Sequence, residues 1–214
     1  MTHPAQTWYS WHAQYDDLES SHTDRLEVVQ DFLIRALDAA SPGPLKAVSI
    51  CAGQSRDLLP VLIRHPRGAD VSARMVEQDP LNASFMHGAL GSTRLKDVEV
   101  VVADAGTTDV YTGAVPADLL LLGGVFANIT LADASRTVTV LSHMCRPGAM
   151  VVWTSYPPRL DDADEVLALF ATSSFESVDL HRDEHYLVAA HRYCGPARIL
   201  PAGQRLFAFG SDEN

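Results

Sequence analysis

Short apolar runs alternate along the chain with stretches in which apolar residues recur every three or four positions, and this alternation predicts the elements. The clearest stretch runs from Lys46 to Leu62, KAVSICAGQSRDLLPVL. Val48 and Ile50, with small Ser49 and Cys51, form a run without clean alternation, which suits a strand buried on both faces of a parallel sheet. Leu58, Leu59 and Leu62 then fall at helical spacing, with Asp57 in the first turn, where the helix dipole favours a carboxylate. Strand, tight turn and helix follow in order, and the turn Ala52-Gly53-Gln54-Ser55 is where a ligand would sit. At the carboxyl edge of a parallel sheet such a turn offers backbone N–H groups and the positive end of a helix.

Before this unit, Leu26, Val29, Leu33 and Leu37 make one helical stripe from Ser20 or Ser21 to Ala39, capped by Ser21 and stopped by Ser41-Pro42-Gly43-Pro44. After it, strands are predicted at Val71–Glu77, Val98–Val102, Ala117–Leu122 and Ala149–Thr154. Helices at Asn82–Leu90 and Thr130–Met144 separate them, with Arg146-Pro147-Gly148 as the stop of the second, and another helix spans Asp161–Ala171. Phe175–Leu180 and His185–His191 alternate as an antiparallel pair would, and Arg205–Phe209 reads as one more short strand. Alternating β and α units followed by a terminal hairpin predict a mainly parallel sheet with an antiparallel edge. A length of 214 residues fits one α/β domain, with an N-terminal cap over 1–40, a core over 46–192 and a C-terminal extension over 193–214.

The strand ends carry the candidate chemistry. Val71–Glu77 runs into Gln78 and Asp79, and Glu77 stands 24 positions beyond Gly53. That is near the spacing of about 20 residues at which an acid binds ribose hydroxyls in nucleotide-binding βαβ units. A carboxylate suits the task because it accepts from both hydroxyls through charge-assisted bonds; the bland alternative is an acid left in solvent. Asp104 follows the third strand and either accepts from an adenine amino group, with Ala105 and Gly106 letting the ring lie against backbone, or caps the next turn. The fourth strand leads into Gly123-Gly124-Val125-Phe126-Ala127-Asn128, where two glycines permit close approach and Asn128 offers both donor and acceptor. Ahead of the sheet, Trp8 to Tyr15 (WYSWHAQY) is dense in aromatics, so it is either a hydrophobic plug or a lid over a pocket with His12 and Tyr15 as polar tips.

Charge narrows the partners. Sixteen Lys and Arg against 27 Asp and Glu give a net charge of −11, a field that repels polyanions and argues against a nucleic-acid groove, so a small neutral or cationic substrate fits better. No apolar run approaches the roughly 20 residues needed to span a bilayer, and the N-terminus lacks the basic start and apolar middle of a signal peptide. No membrane partner and a cytoplasmic location are expected. Cys51, Cys145 and Cys194 form no CxxC pair and the nine histidines are scattered, so no metal site is expected.

Two motifs, CAGQSRD (Cys51 to Asp57) and WHAQYDD (Trp11 to Asp17), resemble the class I S-adenosylmethionine-dependent methyltransferases, and most closely an actinobacterial-type subgroup with a CAGxxRD turn and a WHxxYDD stretch. The likeness covers roughly Lys46 to His191. It implies a Rossmann-like α/β fold whose seven-stranded, mostly parallel sheet has the order 3-2-1-4-5-7-6, the last strand antiparallel, with helices on both faces and an N-terminal helical lid. The implied cofactor is S-adenosylmethionine, with Cys51, Ala52 and Gly53 on its methionine part, Glu77 on the ribose, Asp104 and Ala105 at the adenine, and Gly123, Gly124 and Val125 beside the sulfonium. Arg56, Gln78 and Asn128 complete the expected cofactor-binding set. The chain departs from the family pattern at Ser49, where an acidic residue is usual, and at Ser55, where a second turn glycine is usual.

Methyl transfer from a sulfonium needs mainly alignment and exclusion of water, so the lack of a catalytic triad is no objection. Should the acceptor have to lose a proton, His12, Tyr15 or His143 can take it, and His12 and Tyr15 are the assigned catalytic pair. A small-molecule substrate is expected, and a homodimer stays open. One rival is an enzyme that consumes the same cofactor differently, for instance by cyclising its aminocarboxypropyl arm. A nicotinamide oxidoreductase is disfavoured because only Gly53 survives of the GxGxxG pattern. A third alternative is a binding protein that kept the fold and lost the chemistry.

Overall fold

Runs of Leu, Val and Ile that show no alternation have become strands covered on both faces. The computed structural model describes residues 8–17 and 20–209. The strands are β1 (Leu45–Ile50), β2 (Val71–Glu77), β3 (Val98–Val102), β4 (Ala117–Leu122), β5 (Cys145–Ser155), β6 (Phe175–Arg182) and β7 (Leu187–Tyr193). The helices are α1 (Trp8–Trp11), α2 (Ser21–Ala39), α3 (Leu58–Arg64), α4 (Pro80–Leu90), α5 (Leu131–Met144) and α6 (Ala163–Thr172), with a 3-10 turn at His12–Asp16. Among the described residues, seven strands form one sheet in the order β3-β2-β1-β4-β5-β7-β6. β1 to β5 pair in parallel, and β7 runs antiparallel to both β5 and β6.

Successive side chains of a strand point to opposite faces, so β4 feeds two cores. Leu120 and Leu122 join Trp153, Val138, Leu141 and Phe170 under α5 and α6, while Leu119 and Leu121 join Leu33, Leu37, Leu58 and Leu62 under α2 and α3. Parallel strands all end on the same edge, which gathers the loops after β1 to β5 in one place. Among the described residues, no helix is long and apolar enough to cross a membrane, and no group of three or more His, Cys, Asp or Glu could hold a metal ion.

Some boundaries differ from the sequence reading for identifiable reasons. The cap of α2 is Ser20, whose hydroxyl accepts from the His22 N–H, rather than Ser21. The expected stop Arg146-Pro147-Gly148 lies inside β5, because Ala117 pairs with Cys145 before the register shifts and the regular ladder resumes at Leu119 and Met150. Arg205–Phe209 is no strand of the sheet. Arg205 makes a single antiparallel bridge to Thr107, and Leu206 donates to the Gly106 carbonyl, so this apolar stretch is held on the loop after β3.

His191 on β7 lies inside the aromatic core. It is 1% exposed and stacks on Phe170 at 4.3 Å, parallel to Trp153, and neither ring nitrogen has a hydrogen-bond partner. Burial lowers its pKa from 6.5 to about 4. The unfolded chain therefore takes up a proton before the folded one does. The contribution of neutral His191 to stability is complete above pH 6.5 and is lost as pH falls from there toward 4, a change on the order of 3 kcal/mol. His191→Phe keeps the ring and removes the titration, so its unfolding free energy should gain on that of the wild type by about this amount over the window. Denaturant curves at several pH values test this, and a wild-type-to-variant difference that does not change with pH would refute it.

Candidate functional site

The turn after β1 is left-handed at alternate residues: Cys51 has φ 56°, Gly53 φ 56° and Ser55 φ 49°. Glycine adopts that region at no steric cost, and each other residue there stores about 1–2 kcal/mol. The turn thus asks for glycine three times and has it once, at Gly53. A Cβ built there would lie 2.4 Å from Nε2 of His12, and that nitrogen accepts from the Gln54 N–H at 3.3 Å. The 3-10 turn that follows α1 therefore rests its imidazole directly on the Gly53 backbone.

Glu77, at the end of β2, is buried and not in solvent. One carboxylate oxygen accepts from Gly53 N–H at 2.7 Å and the other from Asp79 N–H at 2.8 Å. Burial raises its pKa, and those two amides work in the opposite direction by stabilising the charged form. Asp104 does cap its turn, accepting from Gly106 N–H at 2.8 Å, and its second oxygen pairs with Arg205 at 2.6 Å. Beyond β4, Gly124 has φ 73° and donates its N–H to the Thr154 hydroxyl, while Asn128 donates to the Gly124 carbonyl at 2.7 Å and to the Tyr156 hydroxyl at 2.9 Å.

These strand ends open into one cavity of about 120 Å³. From the turn after β1 it is lined by Cys51, Ala52, Gly53 and Arg56, and from the ends of β2 and β3 by Glu77, Gln78, Asp104 and Ala105. Gly123, Gly124, Val125 and Asn128 line it after β4, and His12 and Tyr15 come from the N-terminal segment. The side chains of Trp8 and Trp11, on which the lid expectation also drew, lie outside the described residues. His143 is elsewhere, its ring meeting the Ile199 carbonyl at 2.9 Å.

The same wall holds residues outside the expected cofactor-binding set, two of which, Ser55 and Asp57, the sequence marks only as parts of the turn and of the helix start. Arg25 on α2 donates to the Tyr15 hydroxyl at 2.7 Å and stands 4.7 Å over the Tyr156 ring. It is four positions before Val29 on the buried face of α2, and a charge on an apolar stripe is a signal that could have found it. Asp57 caps α3 by accepting from Leu58 N–H, and burial raises its pKa. Ser55 and Asn82 line the cavity with the hydroxyl of one and the whole amide of the other buried and without a hydrogen-bond partner. Nothing in the pattern of α4 marks Asn82.

No family model matches the chain, and no curated protein matches it in sequence. Solved structures do match. Magnesium protoporphyrin IX methyltransferase (ChlM) from Synechocystis PCC 6803, solved with bound S-adenosylmethionine, superposes with a TM-score of 0.62 at 10% identity over 89% of this chain and 99% of that one. The N-methyltransferase NodS from Bradyrhizobium japonicum WM9 gives 0.59 at 15% identity over 83% and 100%, and the cyclase SpnF gives 0.62 at 11% over 85% and 84%. The fold is the Rossmann-like fold of the class I methyltransferases. At such identities the likeness speaks for the fold, and what this class I fold does in the present chain rests on its own residues.

Proposed function

We propose that the cavity binds S-adenosylmethionine and that the protein transfers the methyl group to a small-molecule acceptor by in-line displacement. The observation that carries this reading is the convergence of Gly53, Glu77, Asp104 and Gly124 on one cavity at the carboxyl edge of the sheet, together with the orphaned Ser55 hydroxyl and Asn82 amide in its wall. Buried polar atoms without partners cost free energy, and a polar nucleoside with an amino-acid arm offers them partners. The residues fit that cofactor. Cys51, Ala52, Gly53 and Arg56 would hold the methionine part, Glu77 and Gln78 the ribose, Asp104 and Ala105 the adenine, and Gly123 to Val125 with Asn128 the surroundings of the sulfonium. The CAGQSRD and WHAQYDD stretches both supply residues to this cavity, so the likeness to the subgroup that carries them is part of the same proposal.

When bound, the cofactor supplies a methyl group already activated by positive sulfur, which leaves the chain to align the acceptor and keep water out. His12 and Tyr15 cover the cavity, held by the Tyr15–Arg25 bond and by the Asp16–Arg56 ion pair at 2.7 Å. Burial raises the pKa of Tyr15, so its phenol keeps its proton at neutral pH and serves as a hydrogen-bond donor rather than a base. Where the acceptor must lose a proton, that role falls to His12, whose Nε2 has to give up the Gln54 N–H to take it.

Titration calorimetry with S-adenosylmethionine, S-adenosylhomocysteine and NADH tests the reading: the first two should bind and the third should not, and the reverse would overturn it. Mass spectrometry of the turned-over cofactor adds the reaction class, since methyl transfer leaves S-adenosylhomocysteine. The lid is tested by removing residues 1–16. Dissociation of S-adenosylhomocysteine should then quicken by about tenfold or more, with little change in Tm, because His12 and Tyr15 close the site without carrying the core. A truncated protein that melts early yet releases ligand at the wild-type rate would make the segment a plug.

A further inference from the structure

We propose that Asn82 is a cofactor-binding residue that completes recognition of the ribose diol beside Glu77, an inference that rests on the S-adenosylmethionine reading above. Asn82 sits in the first turn of α4, just beyond the Asp79 cap, and is fully buried. It lines the cavity, yet neither its amide oxygen nor its amide nitrogen has a hydrogen-bond partner. The amide is close enough to Glu77 to favour the charged carboxylate, without reaching hydrogen-bonding geometry.

A primary amide carries two donors and two acceptor lone pairs, and native proteins seldom bury all of them unmet. Asparagine is also a poor helix former, and an apolar residue would pack at this position without loss. Neither helix propensity nor core packing therefore accounts for it, whereas a ligand in the cavity does.

The ligand chemistry follows from what stands next to it. Glu77 as a carboxylate can only accept, and both of its oxygens already receive a backbone N–H. Each hydroxyl of a vicinal diol donates once and also accepts. An acceptor-only carboxylate takes the hydroxyl protons and leaves the hydroxyl lone pairs without a donor. The Asn82 amide supplies that donor, and its oxygen adds an acceptor. A second carboxylate at this position would repel Glu77, and a leucine would supply nothing.

The test is Asn82→Leu, which keeps the branching and removes both polar atoms, with Asn82→Ala as the smaller variant that cannot clash. In the ligand-free protein, Asn82→Leu should raise Tm by roughly 2–8 °C, because an unmet buried amide has been removed. Its affinity for S-adenosylhomocysteine should nevertheless fall by roughly tenfold to a hundredfold in calorimetry. That loss should vanish for one of the two monodeoxyribose analogues of S-adenosylhomocysteine. A wild-type protein that binds no S-adenosylhomocysteine would overturn the cofactor reading and this inference with it. Wild-type protein that binds while both variants bind equally well, or variants that lose the same factor on every analogue, would overturn the role of Asn82 alone.

Discussion

A Gly53→Val protein is expected to keep its sheet and to lose affinity for S-adenosylmethionine by about a hundredfold or more. Gly53 has φ 56°, a conformation that costs any L side chain and a β-branched one most of all, and a Cβ there would strike the His12 imidazole. What it strikes is a side chain on the N-terminal segment, so the collision displaces His12 and leaves the core strands in place. The methyl groups of valine then occupy the position against the turn backbone where the methionine part is proposed to lie. Circular dichroism establishes that the variant is folded, and calorimetry reads the loss. Gly53→Ala should give an intermediate value. A folded valine variant with normal affinity would remove this turn from the binding site.

Glu77→Ala should abolish measurable binding too, and it should also weaken the fold, which the sequence by itself does not suggest. Charge-assisted hydrogen bonds contribute about 1.5–3 kcal/mol each, so losing two from ribose hydroxyls lowers affinity by two orders of magnitude or more. The same carboxylate accepts from Gly53 and Asp79 N–H, which ties the turn after β1 to the start of α4. Alanine leaves both amides without their acceptor, and a loss of about 2 kcal/mol in unfolding free energy is expected. Glu77→Gln should rescue neither property, because its NH2 group would face one of those two N–H donors. Binding by the wild type should also weaken at acid pH, as protonation of Glu77 is brought closer to neutrality by its raised pKa. A folded Glu77→Ala protein with unchanged affinity would exclude the ribose role.

Much of the sheet is legible in the chain because the central strands are buried on both faces, where only an unbroken apolar run is stable: Ala117–Leu122 reads as a strand and is one. Polar residues at strand ends are legible for a related reason. Parallel strands share an edge, so acids and glycines that follow them in sequence, Glu77, Asp104 and Gly124 among them, meet in space. Long-range partners are what the pattern does not carry. The start of β5 at Cys145 depends on pairing with Ala117 across the sheet, which overrides the local stop signal of Pro147-Gly148. The capture of Glu77 by backbone N–H groups, the contact of His12 with Gly53, and the placement of Arg25 between two tyrosines are likewise set by elements far apart in the chain. Asn82 was illegible because its environment, not its neighbours in sequence, makes an asparagine unusual there.

The seat of the His12 imidazole on Gly53 also carries an expectation about how fast a ligand can come and go. The cavity of about 120 Å³ is smaller than the roughly 300–1,000 Å³ usual for drug-sized ligands, and the imidazole stands where a ligand atom would approach the turn. Ligand and ring compete for the same backbone. If the methionine part lies against this turn, its seating is expected to wait for the segment around His12 to swing away, and the observed association rate should then level off at the frequency of that opening as ligand concentration rises. The equilibrium constant is diminished by the fraction of time the segment spends closed without ligand. The Asp16–Arg56 and Tyr15–Arg25 contacts that hold the segment across the mouth should, if they re-form over a bound ligand, slow its escape as well.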